Sequence, residues 1–359
     1  MNEINFFAAA NSFEGFYSEF KDIYKTDGYK LYIIKGGAGT GKSSFMKKIK
    51  ALAQEKNIPF VLFPCSSDPD SLDGIALPTI KLAFTDGTAP HILDPEYPAV
   101  KEEILNFGEF WDSGKLEEKA DKIISVTNQN KALHKKASAY LKSLYPIALN
   151  SLNIAKSGIK YDKLNRYTEL LIKKNIPKNS GAGKETIRFL SGVTPVGVVS
   201  YPQTPLSLCK KRIIIKDRYG LVSDFIMKKV REKGLNSGYN IITVKNPFMP
   251  SALIDHIIIP ELSLCFLREY EYINFDCPDR RIHAERFMEK SSLKENKNTL
   301  KFNLKLQKEL INTAVDTLKK AKSVHDTLES FYIKAMDFKA LDTYSKQFLK
   351  KLDIKENSL

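Results

Sequence analysis

Apolar positions along the chain follow two rhythms: short runs bounded by turn residues, and long stretches with helical spacing. Lys30-Leu-Tyr-Ile-Ile-Lys35 is a short run rich in β-formers and predicts a buried strand. After a glycine-rich segment, Phe45, Ile49, Leu52 and Ala53 recur at helical spacing through SSFMKKIKALAQEK and predict a helix. Pro59-Phe-Val-Leu-Phe63 predicts a second strand, and Ile80-Lys-Leu-Ala-Phe-Thr-Asp86 predicts another that ends in an acid. The opening MNEINFFAAANSFEGF has an acidic residue and no basic run, so it predicts a buried first element rather than a secretory leader. Around 115–172 and 284–350 the spacing is helical for long stretches, each predicting a paired hairpin.

The pattern occurs twice. Adding 181 carries Ile33-Ile34-Lys35 onto Ile214-Ile215-Lys216, and Phe45-Met46-Lys47-Lys48-Ile49 onto Ile226-Met227-Lys228-Lys229-Val230. One residue further in offset, Leu72-Asp-Gly-Ile-Ala-Leu-Pro78 falls on Ile254-Asp-His-Ile-Ile-Ile-Pro260, and Ile80–Phe84 on Leu262–Phe266. In the helical stretches an offset of 166 pairs Leu141, Ala148, Leu152 and Ala155 with Gln307, Ala314, Leu318 and Ala321. The expectation is an α/β fold of two duplicated cores, each a mainly parallel sheet flanked by helices with a helical hairpin appended. The repeats span 1–175 and 185–359, joined through a polar segment that contains Pro177. Ser180-Gly-Ala-Gly-Lys184 imitates a phosphate loop, but no strand precedes it and Glu185 follows its lysine, so it reads as linker.

The segment Gly36-Gly37-Ala38-Gly39-Thr40-Gly41-Lys42-Ser43 fits G-x-x-x-x-G-K-[ST] without mismatch, between a predicted strand and a predicted helix. Glycines let successive N–H groups turn inward toward phosphate oxygens, and the helix N-terminus adds its positive end. Lys42 would place a cation at the β- and γ-phosphates, and Ser43 a hydroxyl on Mg²⁺. The duplicated cores are thus expected to be P-loop NTPase cores, with Gly36 to Ser44 the expected nucleotide contacts. Lys42 and Asp86 are the expected catalytic residues, and Ser43 and Asp86 the expected metal ligands. Asp86 earns its place at the end of an apolar strand, although Asp-Gly also marks turns. Asp68, Asp70 and Asp73 suit either metal or substrate contacts or turns and caps. In the second copy Asp217, Val222, Ser223 and Asp224 stand for Gly36, Gly41, Lys42 and Ser43, Arg268 stands for Asp86, and Gly220 matches Gly39. Asp217 and Asp224 would repel phosphate, so one nucleotide per chain is expected.

The motifs GGAGTGKSS at 36–44, SSDPDSLDGIALP at 66–78, DGTAPH at 86–91, GEFWD at 108–112 and HDTLESFYIKAMDF at 325–338 give the chain a resemblance across nearly its whole length. It resembles a bacterial family of tandem P-loop proteins described as ATPases or nucleotide-kinase-like proteins. That resemblance implies nucleotide binding at Gly36, Gly41, Lys42 and Ser43. The chain departs from the family pattern at Asp217, Val222 and Ser223, where second halves can also hold a P-loop.

The net charge of +14 favours anionic partners, yet the lysines are spread over many helical segments and no zinc finger or RNP-type motif accompanies them. A solvated surface and a nucleic-acid or protein partner bound through basic helices both fit. Cys65, Cys209, Cys265 and Cys277 form no CxxC pair, and no apolar run approaches a membrane span. Free thiols and a cytoplasmic protein are expected. The function expected is Mg²⁺-dependent binding and hydrolysis of ATP at the first loop. Two other readings stand beside it: a nucleotide or small-molecule kinase, and a non-enzymatic nucleotide-sensing adaptor. The absence of an NKxD guanine signature favours ATP over GTP.

Overall fold

The apolar runs pair into two six-stranded sheets in the computed structural model, which describes residues 3–20, 24, 28–89 and 92–352. Pro90 and His91 of the DGTAPH segment, and residues 1–2 and 353–359, lie outside the described residues. The first half builds β1 (Ile4–Asn5), a hairpin of β2 (Ala9–Ser12) and β3 (Gly15–Ser18), β4 (Lys30–Lys35) and helix α1 (Lys42–Glu55). It continues with β5 (Val61–Pro64), β6 (Leu72–Leu77), β7 (Leu82–Asp86) and β8 (Glu102–Asn106). The sheet order is β1-β5-β6-β7-β4-β8. β4 runs parallel to β7 and β8, and β1 parallel to β5, while β6 runs against both neighbours. The sheet is therefore mixed, with parallel pairings in the majority.

Predicted and observed strands differ at their starts for local reasons. Pro78–Ile80 forms a 3-10 turn closed by Lys81 at φ 52°, so the strand ending in Asp86 begins only at Leu82. The segment that carries Asp68, Asp70 and Asp73 runs into β6, whose six residues are all buried.

Helices follow in the order α2 (Ser113–Glu117), α3 (Ala120–Lys142), α4 (Tyr145–Ser157) and α5 (Tyr161–Asn175). The second half repeats the plan with β9 (Glu185–Arg188), the hairpin β10 (Ser191–Thr194) and β11 (Gly197–Ser200), α6 (Gln203–Leu208), β12 (Lys211–Lys216) and α7 (Leu221–Asn236). Then come β13 (Ile241–Lys245), β14 (Ile254–Ile259), β15 (Leu264–Glu269), β16 (Arg281–His283), α8 (Lys290–Glu295), α9 (Lys297–Ala335) and α10 (Phe338–Lys351). Its sheet, β9-β13-β14-β15-β12-β16, has the order and strand directions of the first. Both sheets shift register at the same place, after Phe63 and after Val244.

The helical layers also correspond, but not at the expected offset of 166. Adding 177 takes Ala120, where α3 starts, to Lys297, where α9 starts, and Tyr161 to Phe338 at the starts of α5 and α10. Ala137, Leu141 and Leu144 then fall on Ala314, Leu318 and Ala321, all buried. The single helix α9 thus answers to α3 plus α4. The first copy breaks because Pro146 has no N–H to offer the carbonyl of Lys142.

The halves exchange their last helices. Leu164 of α5 packs in the second core with Ile226, Met227 and Phe287, while Leu341 of α10 packs in the first with Phe45, Ile49, Phe84 and Phe107. Matching backbone crossings hold the exchange: the Lys160 N–H donates to the Phe287 carbonyl at 2.8 Å, and the Asp337 N–H to the Phe110 carbonyl at 2.7 Å. Between the cores α3 and α9 lie side by side, burying Ala137 and Leu141 with Ile311, Ala314 and Leu318. Each apolar helix stripe needs a surface to cover, and here that surface belongs to the opposite half. The linker imitation at Ser180–Lys184 is irregular chain leading into β9.

Candidate functional site

The first loop leaves the C-terminal end of β4 and enters α1 at Lys42. Gly39 and Gly41 adopt φ 69° and 85°, the left-handed region where a side chain is strained. The Thr40 hydroxyl donates to the Gly37 carbonyl at 2.9 Å, tightening the loop. Lys42 folds over it, with Nζ 2.8 Å from the Gly36 carbonyl, 2.7 Å from that of Gly37 and 3.6 Å from Asp86 Oδ2. Ile34 and Asp86 are register partners in neighbouring parallel strands, so the sheet itself carries Asp86 to the loop. Asp86 Oδ1 accepts from the N–H and the hydroxyl of Thr88. Burial pushes the Asp86 carboxyl above its usual range, opposed by Lys42 and by the Thr88 hydrogen bonds. Ser43 Oγ accepts the Leu72 N–H at 2.9 Å, tying α1 to β6.

Gly36 to Ser43 and Asp86 are therefore assembled in one place, with Ser44 exposed on the first turn of α1. Asp68 stands at the edge, 3.6 Å from Lys322 of α9, Asp70 is exposed, and Asp73 is buried on β6. Sequence reasoning missed the contribution of the second half. A Cβ on Gly37 would stand 2.9 Å from the Tyr332 ring, and one on Gly39 2.9 Å from the Glu329 carbonyl. The end of α9 thus lies directly against the loop, and two of its glycines are needed for that approach as well. These residues belong to HDTLESFYIKAMDF, one of the motifs on which the resemblance above rests, and nothing in their own spacing marks them as neighbours of the loop.

The second loop has filled itself. Asp217, 1% exposed, accepts from the N–H groups of Tyr219 at 3.1 Å, Gly220 at 3.0 Å and Ser223 at 2.8 Å, and from the Ser223 hydroxyl. A carboxylate of the chain therefore occupies the cluster of N–H donors at the helix N-terminus. Arg268 supplies the cation from β15. Its guanidinium donates to the carbonyls of Asp217 at 2.9 Å and Arg218 at 3.0 Å, the counterparts of the two carbonyls held by Lys42. It also pairs with Asp255 at 2.7 Å. The expected clash of two acids with phosphate is thus refined. Asp217 replaces the anion, whereas Asp224 takes the Ser43 position, accepting the Ile254 N–H at 2.9 Å. Gly220 caps α7 at φ 86° as Gly41 caps α1, so it matches Gly41 rather than Gly39. The second loop reaches its helix two residues sooner, while the packed face keeps the offset of 181.

The cysteines are free thiols, with Cys209 and Cys265 buried. Among the described residues no helix is long and apolar enough to cross a membrane. Compared with family models, curated proteins and solved structures, the chain matches none of them.

Proposed function

We propose that the first half binds ATP with Mg²⁺ and hydrolyses it, and that the second half binds no nucleotide. One observation carries this reading: two loops of the same topology differ in what fills them. The second holds its own carboxylate and a guanidinium. Among the described residues no carboxylate accepts from the N–H groups of Gly36 to Ser44, while Lys42, Ser43 and Asp86 surround the same space. An external polyanion is the ligand that would complete such a cluster. The residues suit a triphosphate with its metal: a lysine with two carbonyl contacts to give up, a hydroxyl at the helix start, and a carboxylate with one oxygen facing that lysine. Mg²⁺, when bound, would neutralise charge on the phosphate oxygens. Lys42 would hold the β- and γ-phosphates, Ser43 and Asp86 would orient the metal directly or through water, and Thr88 would fix the Asp86 carboxylate. Tyr332 and Glu329 would limit access of water from the side of α9.

The test is Lys42→Ala, assayed by binding of a labelled ATP analogue and by phosphate release with Mg²⁺. Loss of both in a folded protein is expected, and turnover equal to that of the unmodified chain would reject the assignment.

A further inference from the structure

Charge is divided between the layers of this molecule. The chain carries 56 Lys and Arg against 42 Asp and Glu. Helices α3, α4, α5, α9 and α10 contain 22 of the basic residues and 8 of the acidic ones, leaving 34 of each for everything else. Everything outside these five helices is thus electrically neutral, and the whole net charge of +14 resides in them, +9 of it in α3, α4 and α9.

Along α9 the charge is ordered. Lys297, Lys301, Lys305, Lys308 and Lys319 are all exposed. At 3.6 residues per turn they fall within an arc of roughly 80° and span about 33 Å. The buried face of the helix, formed by Leu300, Ile311, Ala314, Leu318 and Ala321, is centred roughly 110° round the helix from them. Lys305 and Lys308 make exposed ion pairs with Glu309 and Glu271, of a kind that salt screens easily. Among the described residues Lys297, Lys301 and Lys319 have no carboxylate partner, nor have Lys122, Lys131, Lys135 and Lys136, exposed on the neighbouring α3.

We propose that this layer, with the α9 stripe at its centre, docks on the sugar-phosphate backbone of a nucleic-acid duplex. A straight line of lysines about 33 Å long matches roughly one duplex turn, over which about 19 phosphates are offered. An anionic membrane would ask for an apolar face beside the lysines. Among the described residues between Lys297 and Lys319, Phe302 is the one large apolar side chain exposed beside the stripe, too little for such a face. The contacts are to phosphate and set no base sequence. This inference is independent of the nucleotide reading, because no stripe lysine touches the first loop.

Fluorescence anisotropy of the full chain with DNA and RNA duplexes of about 30 base pairs, roughly three turns, from about 50 to about 300 mM salt, tests it. Five phosphate contacts predict a log–log salt slope of about −4.5. The triple variant Lys301→Gln, Lys305→Gln, Lys319→Gln should reduce that slope by about 2.7 and weaken binding near 0.1 M salt by about two to three orders of magnitude. A control triple, Lys81→Gln, Lys101→Gln, Lys115→Gln, should bind as the unmodified chain does. No duplex binding at the lowest salt, equal losses in both triples, or capture by phosphatidylserine vesicles without duplex binding would each overturn the proposal.

Discussion

Replacing Asp217 with Asn exchanges one carboxylate oxygen for an amide nitrogen and leaves the shape of the second loop in place. The surviving oxygen can still accept from Tyr219 and Gly220. The new NH₂ must face the Ser223 N–H, which donates to Asp217 at 2.8 Å, so donor meets donor. Ser223 is fully buried, and water cannot take over. An unsatisfied buried donor costs about 1–3 kcal/mol, and losing the charge weakens the remaining bonds by about 1 kcal/mol more. Arg268 also loses one of the two carboxylates that favour its charge in a buried setting. The expected loss is about 3 kcal/mol. Urea unfolding followed by circular dichroism and by Trp111, the sole tryptophan, measures it. Trp111 sits at the crossing with Met336 and so reports on the exchanged helices too. Because Arg268 still covers the two carbonyls and no lysine stands at Ser223, the variant should gain no nucleotide. A change below about 0.5 kcal/mol, or a new nucleotide site, would refute the view that Asp217 is the loop's built-in anion.

Calorimetry with a non-hydrolysable ATP analogue should find one site per chain, abolished by Lys42→Ala, and two sites of similar affinity would contradict the self-filled second loop. His256 accepts the Arg268 N–H, and burial pushes its imidazole down to about 4, with Arg268 adding to that effect against Asp255. The unfolded chain takes up this proton near pH 6.5, so the stabilisation is complete above that pH. About 3 kcal/mol of it is lost as pH falls toward 4, and urea midpoints of His256→Gln should be flatter across that window. Leu341→Ala should cost about 3 kcal/mol through the cavity left in the first core, although the residue belongs to the second half. Unfolding titrations that show no loss would deny that α10 is part of that core.

Much of this was readable from residue pattern because the informative features are local. A strand, a glycine turn and an amphipathic helix at Lys30–Glu55 depend on neighbours in sequence, and they stand where the pattern put them. Asp86 was readable because a strand carries its last side chain to a predictable edge. β6 was obscured because its Asp-Gly step imitates a turn, whereas its counterpart Ile254–Ile259 ends in three consecutive isoleucines. The helical offset was misjudged because Ala and Leu recur in both layers, so several registers match almost equally well. The exchange of α5 and α10 left no periodic trace. An apolar stripe shows that a helix is covered, and says nothing of which half covers it.

That exchange gives a physical reason for a second half whose loop is filled by its own Asp217 and Arg268. The first core is incomplete without α10, since Leu341, Tyr344 and Phe348 close the space around Phe45, Phe84 and Phe107. The loop at Gly36–Gly41 is likewise lined by Glu329, Tyr332 and Ile333 of α9. Folding the second half therefore assembles the first site whether or not the second loop binds anything. Asp217 and Arg268 make that folding independent of a ligand, since the anion and the cation both come from the chain. The same contacts make the two halves mechanically continuous. The backbone at Gly37 to Gly39 lies so close to the carbonyl of Glu329 and the ring of Tyr332 that no Cβ fits between them, and α9 extends from that contact along its 39 residues into the basic layer. Rigid elements packed this closely transmit displacement rather than absorb it. A ligand that reshapes the first loop would therefore act on the long helix of the other half as well as on Asp86 and β6 of its own.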